Sequence, residues 1–391
     1  PRLDAIATRR DQLDALLITH AHEDHVGSVA HHWPQLRCPV YCTPFTAAIL
    51  RGKLVDAGIA EEVPLHIVEP GETTHHGLFS VRWMPITHST PQSQSLLICS
   101  PAGTALHTGD WKLDTDPVVG PAHDEGALRA LAQEPVLAIV GDSTNAPLPG
   151  RTPSESALRE PLMHAAQACE GRIVVGCFGS NLARLHTLLG VAAQTGRYPA
   201  LLGRSLHRYA GAAREAALWT PTAEPIPSAH LGYLPRREVM AIATGSQGET
   251  YAALDQLSNK SHRDLDLEAG DAVIFSSRVI PGNESVVRAL HERLRALGVM
   301  VIDDRGGKHG PFHASGHPAQ DDLRDLYDWV RPKIAVPVHG EDRHLEAHAA
   351  LAAAVGVPSV LSPRNGDLVQ LAPRPAIFRG KVAAGRIELA R

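Results

Sequence analysis

The stretch His20-Ala21-His22-Glu23-Asp24-His25 directly follows an apolar segment, residues 15–19, that is typical of a buried strand. Four of its six residues, His20, His22, Asp24 and His25, are the candidate metal ligands. Imidazole and carboxylate together suit Zn²⁺ or a similar divalent ion. Ligands two residues apart on a loop can converge on one ion, while the adjacent Asp24 and His25 can turn towards a second. The sequence therefore predicts a metal site at the end of this strand.

The composition indicates a folded, water-soluble protein of two or three domains. The chain has 391 residues, of which 43% are hydrophobic, and its formal net charge is −5. The negative charge argues against a broadly basic surface, so any contact with nucleic acid must be local. No apolar run approaches the roughly 18 residues of a membrane span. The five cysteines include no Cys-x-x-Cys pair, which favours a reduced, cytoplasmic protein. The 23 histidines are unusual, because histidine is the commonest metal ligand.

The pattern of hydrophobic residues changes at a Pro/Gly-rich joint, residues 146–153. Before the joint we expect strands at 95–98, 104–107 and 135–140. After it, Ser154 is expected to cap a helix that ends near Gly171, and strands and helices then alternate. The expected strands are 172–178, 239–243, 272–275 and 334–338, and the expected helices are 181–193, 250–257, 284–297 and 321–330. Such alternation predicts a parallel sheet covered by helices.

Five further segments extend the metal-ligand pattern. They are Thr87-His88-Ser89-Thr90-Pro91, His107-Thr108-Gly109-Asp110, Gly141-Asp142-Ser143-Thr144-Asn145, His313-Ala314-Ser315-Gly316-His317 and Pro337-Val338-His339-Gly340-Glu341. In this order, and together with residues 20–25, they resemble the motifs of the metallo-β-lactamase superfamily and its β-CASP nucleases. Within that group the motif sequences resemble those of the bacterial ribonuclease J family. Residues 244–249 and 280–284 are also similar to that family. The resemblance extends from His20 to about Pro373.

The resemblance implies an α/β protein with the metallo-β-lactamase αββα fold and an inserted parallel α/β β-CASP domain. Residues 1–150 would form the first part of the metallo-β-lactamase domain, with the family's first strands missing ahead of it. Residues 151–310 would form the β-CASP domain, over the metal site and with the substrate channel between the two domains. Residues 311–373 would close the metallo-β-lactamase domain, and residues 374–391 would begin a linker to an absent C-terminal domain.

The resemblance also implies roles for individual residues. His20, His22 and His88 would hold one zinc ion, Asp24, His25 and His339 would hold the other, and Asp110 would bridge them. Mn²⁺ or Mg²⁺ are alternative metals. His317 would act as general acid and Asp142 would orient it. The implied substrate-binding residues are Ser180, Asn181, His313, Ala314, Ser315, Gly316 and His317.

A helix that begins after Gly179-Ser180-Asn181 would offer free backbone N–H groups to a phosphate, which supports a binding role independently of the resemblance. The structural alternative is that Ser180 only caps this helix. Similarly, we expect Gly316 to let the backbone approach a phosphate closely. Because the net charge is negative, the two zinc ions and a few arginines would have to make one cleft positive. The candidates are Arg184, Arg204, Arg208 and Arg278.

The function implied is a zinc-dependent ribonuclease that hydrolyses RNA phosphodiesters. It would degrade RNA from the 5′ end, with endonuclease activity in addition, in RNA processing (including rRNA) and mRNA turnover. The partner would be RNA, and the full-length protein would be a homodimer or higher homo-oligomer without membrane contact. Three alternatives are a small-molecule metallohydrolase of the thioesterase or lactonase type, a DNA-directed β-CASP nuclease, and an inactive scaffold. The long insertion argues against the first, and the complete set of seven ligands argues against the last.

Overall fold

The computed structural model describes residues 2–304 and 310–387, which fall into two compact units. The first unit comprises Pro1–Thr115, Pro121–Thr152 and Ser315–Arg391, and the second comprises Asp116–Gly120 and Pro153–Ala314. The second unit is thus inserted into the sequence of the first. Parts of the expected domains, residue 1, residues 305–309 and residues 388–391, lie outside the described residues. Among the described helices, none combines the length and apolar character needed to cross a membrane.

The strands and helices are numbered along the chain. The strands are β1 (Leu16–Ile18), β2 (Val40–Cys42), β3 (Leu65–Ile67), β4 (Thr73–His76), β5 (Phe79–Pro85), β6 (Gln94–Ser100), β7 (Gly103–His107), β8 (Val136–Asp142), β9 (Ile173–Gly176), β10 (Tyr198–Leu202), β11 (Val239–Ala243), β12 (Ala272–Phe275), β13 (Met300–Ile302), β14 (Ile334–Val338), β15 (Ser359–Val360), β16 (Leu368–Gln370) and β17 (Ala376–Phe378). The helices are α1 (Asp4–Ala7), α2 (Glu23–Val26), α3 (Val29–Leu36), α4 (Pro44–Asp56), α5 (Glu125–Ala130), α6 (Arg159–Gln167), α7 (Leu182–Gln194), α8 (Arg204–Glu215), α9 (Ala253–Ser258), α10 (Glu284–Ala296), α11 (Gln320–Val330) and α12 (Asp342–Ala354).

The first unit contains a three-stranded and a seven-stranded sheet. The smaller sheet has the order β1-β2-β3 and is parallel. The larger has the order β15-β14-β8-β7-β6-β5-β4, with parallel pairs from β15 to β7 and antiparallel pairs from β7 to β4. One hydrophobic core joins the two sheets, with Trp83 and Leu96 of the larger sheet packed against Leu17 and Tyr41 of the smaller. This is the two-sheet arrangement expected of the metallo-β-lactamase fold.

Helices cover the outer face of the larger sheet. Buried residues of α11 and α12, such as Leu326 and Leu351, form one core with Leu106 and Ile139 of the sheet. Helix α11 buries a stripe of residues at positions 323, 326, 327 and 330, the spacing of one face of an α-helix. The larger sheet is therefore packed against helices on one face and, around Trp83 and Leu96, against the smaller sheet on the other.

The strand directions bring several loops to one edge of the larger sheet. Strands β7, β8 and β14 are parallel, and the register pairs Val338 with Asp142 at their carboxyl ends. Strand β5 runs in the same direction as β7, because each is antiparallel to β6. Asp142 is the last residue of β8, and the segments that follow β5, β7 and β14 contain His88, Asp110 and His339 respectively. The topology alone therefore collects these residues from distant parts of the sequence.

The second unit is built on a parallel sheet with the order β10-β11-β9-β12-β13. Every residue of β9, β11 and β12 is buried, because helices cover both faces of such a sheet. The sequence predicted a parallel sheet from the alternation of strands and helices, and that prediction is confirmed. The core of the unit includes Val174, Ala241, Val273, Leu254 and Leu290.

Two helices begin later than predicted. The segment expected to be helical from Ser154 begins with a 3₁₀ turn, Ser156–Leu158, and the α-helix starts at Arg159. This places Pro161 in the first turn of α6, where its missing N–H costs little. Helix α9 starts at Ala253 rather than residue 250, because Tyr251 adopts a left-handed backbone conformation with φ of 65°. After β15, strands β16 and β17 form an antiparallel hairpin, so the range assigned to a linker begins with a strand.

We predict that Gly171→Ala destabilises the second unit by about 1–3 kcal/mol, because core overpacking has this cost. A Cβ at residue 171 would lie 2.4 Å from the carbonyl oxygen of Gly270, and backbone cannot swing away as a side-chain end can. The control is Gly211→Ala in α8, where nothing lies within 4 Å of the added carbon. That variant should gain about 0.5–1 kcal/mol from helix propensity. Urea unfolding curves compare them, and equal effects of the two variants would contradict the prediction.

Candidate metal and nuclease site

Three overlapping groups of potential metal-ligand side chains meet in the first unit. The first is His20, His22, His88 and Asp110, the second is Asp24, His25, Asp110 and His339, and the third is Asp110, Asp142, His317 and His339. Within each group the ligand atoms all lie within 4.8 Å of one another. Asp110 belongs to all three groups, and the first two groups bring together the residues that the sequence analysis assigned to the two ions. His339 lies beside Asp24 although 315 residues separate them in the chain.

The carboxylate of Asp110 lies at the centre of these residues. Its Oδ2 atom is 3.6 Å from Nε2 of His20, 3.4 Å from Nε2 of His25 and 3.6 Å from Nε2 of His339. Nε2 of His88 lies slightly farther away, at 4.0 Å. Asp110 itself is almost completely buried. Four imidazoles thus face one carboxylate oxygen. If the first two groups each held a metal ion, that oxygen could contact both ions.

The protein holds the outer nitrogen of three imidazoles, which leaves the inner nitrogen facing the cluster. Nδ1 of His88 donates a hydrogen bond of 2.6 Å to the carbonyl of Gly316, and Nδ1 of His339 donates one of 2.9 Å to the hydroxyl of Thr144. Nδ1 of His20 lies 3.0 Å from the hydroxyl of Thr19. Such outer hydrogen bonds fix the ring and the tautomer of metal-binding histidines. The residues present therefore fit a metal ion.

In the group that contains His20, His22 and His88, the inner nitrogen atoms lack ordinary hydrogen-bond partners. Nε2 of His20 is buried and, among the described residues, has no hydrogen-bond partner. Nδ1 of His22 lies 2.9 Å from Nε2 of His88, so two imidazole nitrogens point at the same place. Burial of a polar atom without a partner costs free energy, and a cation between these nitrogens would remove that cost. This is the second observation that favours a metal site.

The pKa values separate neutral from charged groups. Burial lowers the pKa of His22 to about 4, and burial together with the neighbouring imidazoles lowers the pKa of His20 and His88. These three side chains are therefore neutral near pH 7, the form that binds metal. Burial opposes the charged form of His339, but hydrogen bonds to Asp142 and Asp24 outweigh it and raise its pKa to about 11. The carboxylates around His339 thus attract positive charge, which a metal cation would supply.

A histidine–carboxylate pair lies next to the first two metal-ligand groups. Nδ1 of His317 donates a 2.7 Å hydrogen bond to Oδ2 of Asp142, which is buried. Burial opposes protonation of His317, yet the charge and hydrogen bond of Asp142 raise its pKa. The rings of His317 and His88 lie 5.1 Å apart, centre to centre. Asp142 can therefore orient His317 and favour its protonated form, with Nε2 left to face a reactant.

The loop that carries His317 is held by two side chains that the sequence analysis did not identify. Asn145 donates 2.8 Å and 3.1 Å hydrogen bonds to the Ser315 hydroxyl and the His317 carbonyl, and Thr152 donates one of 2.7 Å to the same carbonyl. In the sequence, the signal for these two roles was limited to position: Asn145 ends the motif at residues 141–145, and Thr152 follows that motif closely.

The structure shows which group lies closest to Gly316. A Cβ at this position would lie 2.6 Å from the ring of His88, so glycine allows the backbone to approach that imidazole. Its carbonyl accepts the hydrogen bond from His88. The expectation was that this glycine would admit a phosphate, whereas the observed neighbour is a histidine of the metal-ligand group.

The remaining expected substrate-binding residues lie in the second unit. The side chain of Asn181 caps α7 by accepting a hydrogen bond from the backbone of Arg184, and it donates another to Glu155. The structure therefore gives the capping role to Asn181, whereas the alternative reading gave it to Ser180. His313 and Ala314 end the second unit, and Ala314 is buried.

Arg184, which the sequence analysis offered as an RNA contact, is instead part of the core of the second unit. It is 1% exposed and pairs with Glu155, which is 2% exposed. Its guanidinium also donates to the carbonyls of Ser276 and Phe312 at 2.7 and 2.9 Å. The expectation for Arg184 was wrong because Glu155, 29 residues earlier, folds against the first turn of α7.

Family models match three parts of the chain. Residues 1–133 match the "Beta-lactamase superfamily domain", residues 170–294 match "Ribonuclease J, beta-CASP domain", and residues 311–363 match "Zn-dependent metallo-hydrolase RNA specificity domain". Ribonuclease J of Sinorhizobium meliloti is 41% identical over 99% of this chain and 68% of its own length. The chain belongs to the ribonuclease J family. It is accordingly an enzyme of the ribonuclease type with metallo-β-lactamase and β-CASP domains.

Other members of the ribonuclease J family show the same relationship. Ribonuclease J of Mycolicibacterium smegmatis is 37% identical over 99% of this chain and 69% of its own length. Ribonuclease J of Synechocystis is 36% identical over 100% of this chain and 61% of its own length. A solved structure of a protein of unknown function from Enterococcus faecalis aligns with a TM-score of 0.61 at 16% identity, covering 90% of this chain and 79% of that one. This last similarity concerns the fold alone.

We predict that Arg184→Met destabilises the second unit by about 3–5 kcal/mol, because it removes the cation that faces a buried carboxylate. Arg204→Met is the matched control: Arg204 is exposed at the start of α8, and its loss should change stability by no more than about 0.5 kcal/mol. Urea unfolding, with hydrogen exchange in α7 and β12, measures both. Equal stability of the two variants would show that the Arg184–Glu155 pair is dispensable.

Proposed function

We propose that the chain hydrolyses RNA phosphodiester bonds with two zinc ions, as a 5′–3′ exonuclease that also cleaves internally. The observation that carries the proposal is the convergence of seven metal-ligand residues beside the Asp142–His317 pair. His20, His22 and His88 would hold one ion, Asp24, His25 and His339 the other, and Asp110 would contact both. When bound, such ions supply activated water and positive charge for the oxygens of the reacting phosphate.

The chain's own residues supply the proton. The Asp142 carboxylate accepts the Nδ1 hydrogen of His317, so the ring is oriented with its Nε2 proton available for the departing 3′ oxygen. The same carboxylate raises the pKa of His317 against the effect of burial, which keeps more of this proton on the ring near neutral pH. Asp142 is itself fixed, because Oδ1 accepts hydrogen bonds from the backbone and hydroxyl of Thr144 at 2.9 and 2.7 Å.

The setting of this activity is also part of the proposal. All five cysteines are free thiols in the structure, which supports a reducing, cytoplasmic location. In the full-length protein we propose a homodimer or higher homo-oligomer, on the ground of family resemblance. Its roles would be RNA processing and mRNA turnover.

Ser180 and the loop 313–317 are proposed as contacts to the substrate.

The test is single-turnover cleavage of 5′-labelled and internally labelled single-stranded RNA by the zinc-loaded protein. The wild type should release the 5′ label as mononucleotide from the start of the reaction. His317→Ala should slow cleavage at saturating RNA by about 10²–10⁴-fold, the usual contribution of a general acid. Its zinc content and its affinity for RNA should stay within a few-fold of wild type, because the residue is not among the seven ligands.

The control is His75→Ala, which removes an exposed histidine of β4 and should leave the rate unchanged. Normal cleavage by His317→Ala at saturating RNA would make His317 a binding group only. Loss of zinc from this variant would identify it as a metal ligand. Absence of any RNA cleavage by the wild type would refute the proposed activity itself.

A further inference from the structure

A chain of buried hydrogen bonds connects the outer helices of the first unit with the loop that follows β8. The hydroxyl of Tyr327 in α11 lies 2.8 Å from Nε2 of His348 in α12. Nδ1 of His348 lies 2.8 Å from the hydroxyl of Ser143. Tyr327 is 3% exposed, and His348 and Ser143 are completely buried. Both ring nitrogens of His348 are therefore engaged within the core.

Three polar side chains at these positions need an explanation, because burial of polar groups costs free energy unless every one is hydrogen-bonded. Here both ring nitrogens and both hydroxyls take part in hydrogen bonds, so the cost is largely offset. Burial lowers the pKa of His348 to about 4, so the ring is neutral near pH 7. A neutral imidazole donates from one nitrogen and accepts at the other, which suits a link between two hydroxyl groups.

Ser143 lies in the middle of the turn that organises the proposed acid. On one side of it, Asp142 accepts the hydrogen bond of His317, and on the other, the hydroxyl of Thr144 accepts that of His339. The backbone N–H of Ser143 donates to the carbonyl of His339 at 3.4 Å. The ring of His348 also packs against the turn, since a Cβ at Gly141 would lie 3.2 Å from Cε1 of His348. The turn therefore rests on His348 through a hydrogen bond and through direct contact.

We propose that His348 is a positioning residue for the reaction, which fixes the turn at residues 141–145 and so holds the Asp142 carboxylate towards His317. The inference rests on the proposed function, because it assigns the chain of hydrogen bonds to the service of His317. Among the described residues, His348 is hydrogen-bonded to Ser143 and Tyr327, so it acts through Ser143 and the backbone of the turn. Tyr327 anchors the far side of its ring.

Replacing His348 separates this role from simple packing. His348→Phe keeps an aromatic ring but removes both hydrogen bonds, and the turn loses its polar contact. His348→Asn retains a polar atom close to the position of Nδ1, so it can keep the link to Ser143. Leu351→Ala is the matched control, because Leu351 is a buried residue of the same helix that belongs to the hydrophobic core. It weakens the packing of α12 without removing any hydrogen bond of the turn.

The experiment measures single-turnover cleavage of single-stranded RNA at a temperature where all variants are folded, together with RNA affinity and zinc content. We expect His348→Phe to cleave at least 30-fold more slowly at saturating RNA, with affinity and zinc content within about three-fold of wild type. His348→Asn should recover the rate to within about five-fold of wild type. Leu351→Ala should stay within two-fold. A rate loss in Leu351→Ala equal to that of His348→Phe would overturn the proposal and reduce His348 to a packing residue.

A crystal structure of His348→Phe supplies a readout that does not depend on activity. The proposal requires the turn to relax and the 2.7 Å hydrogen bond between Asp142 and His317 to lengthen or break. An unchanged turn with this bond intact would overturn the positioning role, whatever the substrate. If instead the wild type fails to cleave RNA while the turn relaxes in the variant, the proposed function fails and the structural coupling stands.

Discussion

The candidate metal site of the first unit is arranged around the carboxylate of Asp110. Four imidazoles from three separate segments face one of its oxygens at 3.4 to 4.0 Å, although the side chain is almost completely buried. A buried carboxylate is stable only where positive charge or hydrogen-bond donors surround it. In the proposed enzyme two zinc ions supply that charge, and the carboxylate together with the ions allows the three segments to share one space.

The strand directions bring the residues of the site together, and hydrogen bonds to the outer nitrogens of the imidazoles fix their orientation. Parallel β7, β8 and β14 end at one edge, which delivers Asp110, Asp142 and His339 together. The hydroxyl of Thr144 and the carbonyl of Gly316 then turn His339 and His88 inwards. The turn at residues 141–145 thus serves two tasks: it orients His339 within its group of ligands, and it aims Asp142 at His317.

The sequence predicted those features that depend on local pattern. The alternation of strands and helices after residue 153 predicted the parallel sheet of the second unit, and the His20–His25 stretch predicted a metal site after a strand. The contribution of His339 followed only from the resemblance to a family, since its partner Asp24 is 315 residues away. Arg184 was misjudged because an arginine near a helix start looks available for phosphate until Glu155 is seen to fold against it.

Side chains that support the site could not be found from the sequence. The hydroxyls of Thr144 and Ser143 contact His339 and His348 across 195 and 205 residues, and no local pattern marks such pairs. Gly316 was noticed, but its neighbour, the ring of His88, lies 228 residues earlier in the chain. Which loops meet at the strand ends depends on which strands become neighbours, and the pairing of strands depends on the packing of the whole unit.

Anomalous diffraction at the zinc absorption edge shows whether two zinc ions bind at Asp110. For crystals of the zinc-loaded protein, we predict two peaks roughly 3.5–4 Å apart on either side of the Asp110 carboxylate. One peak should lie about 2.0–2.1 Å from nitrogens of His20, His22 and His88, and the other at similar distances from Asp24, His25 and His339. A single peak that Asp110 does not touch, or stoichiometric zinc bound away from these residues, would contradict the two-ion site.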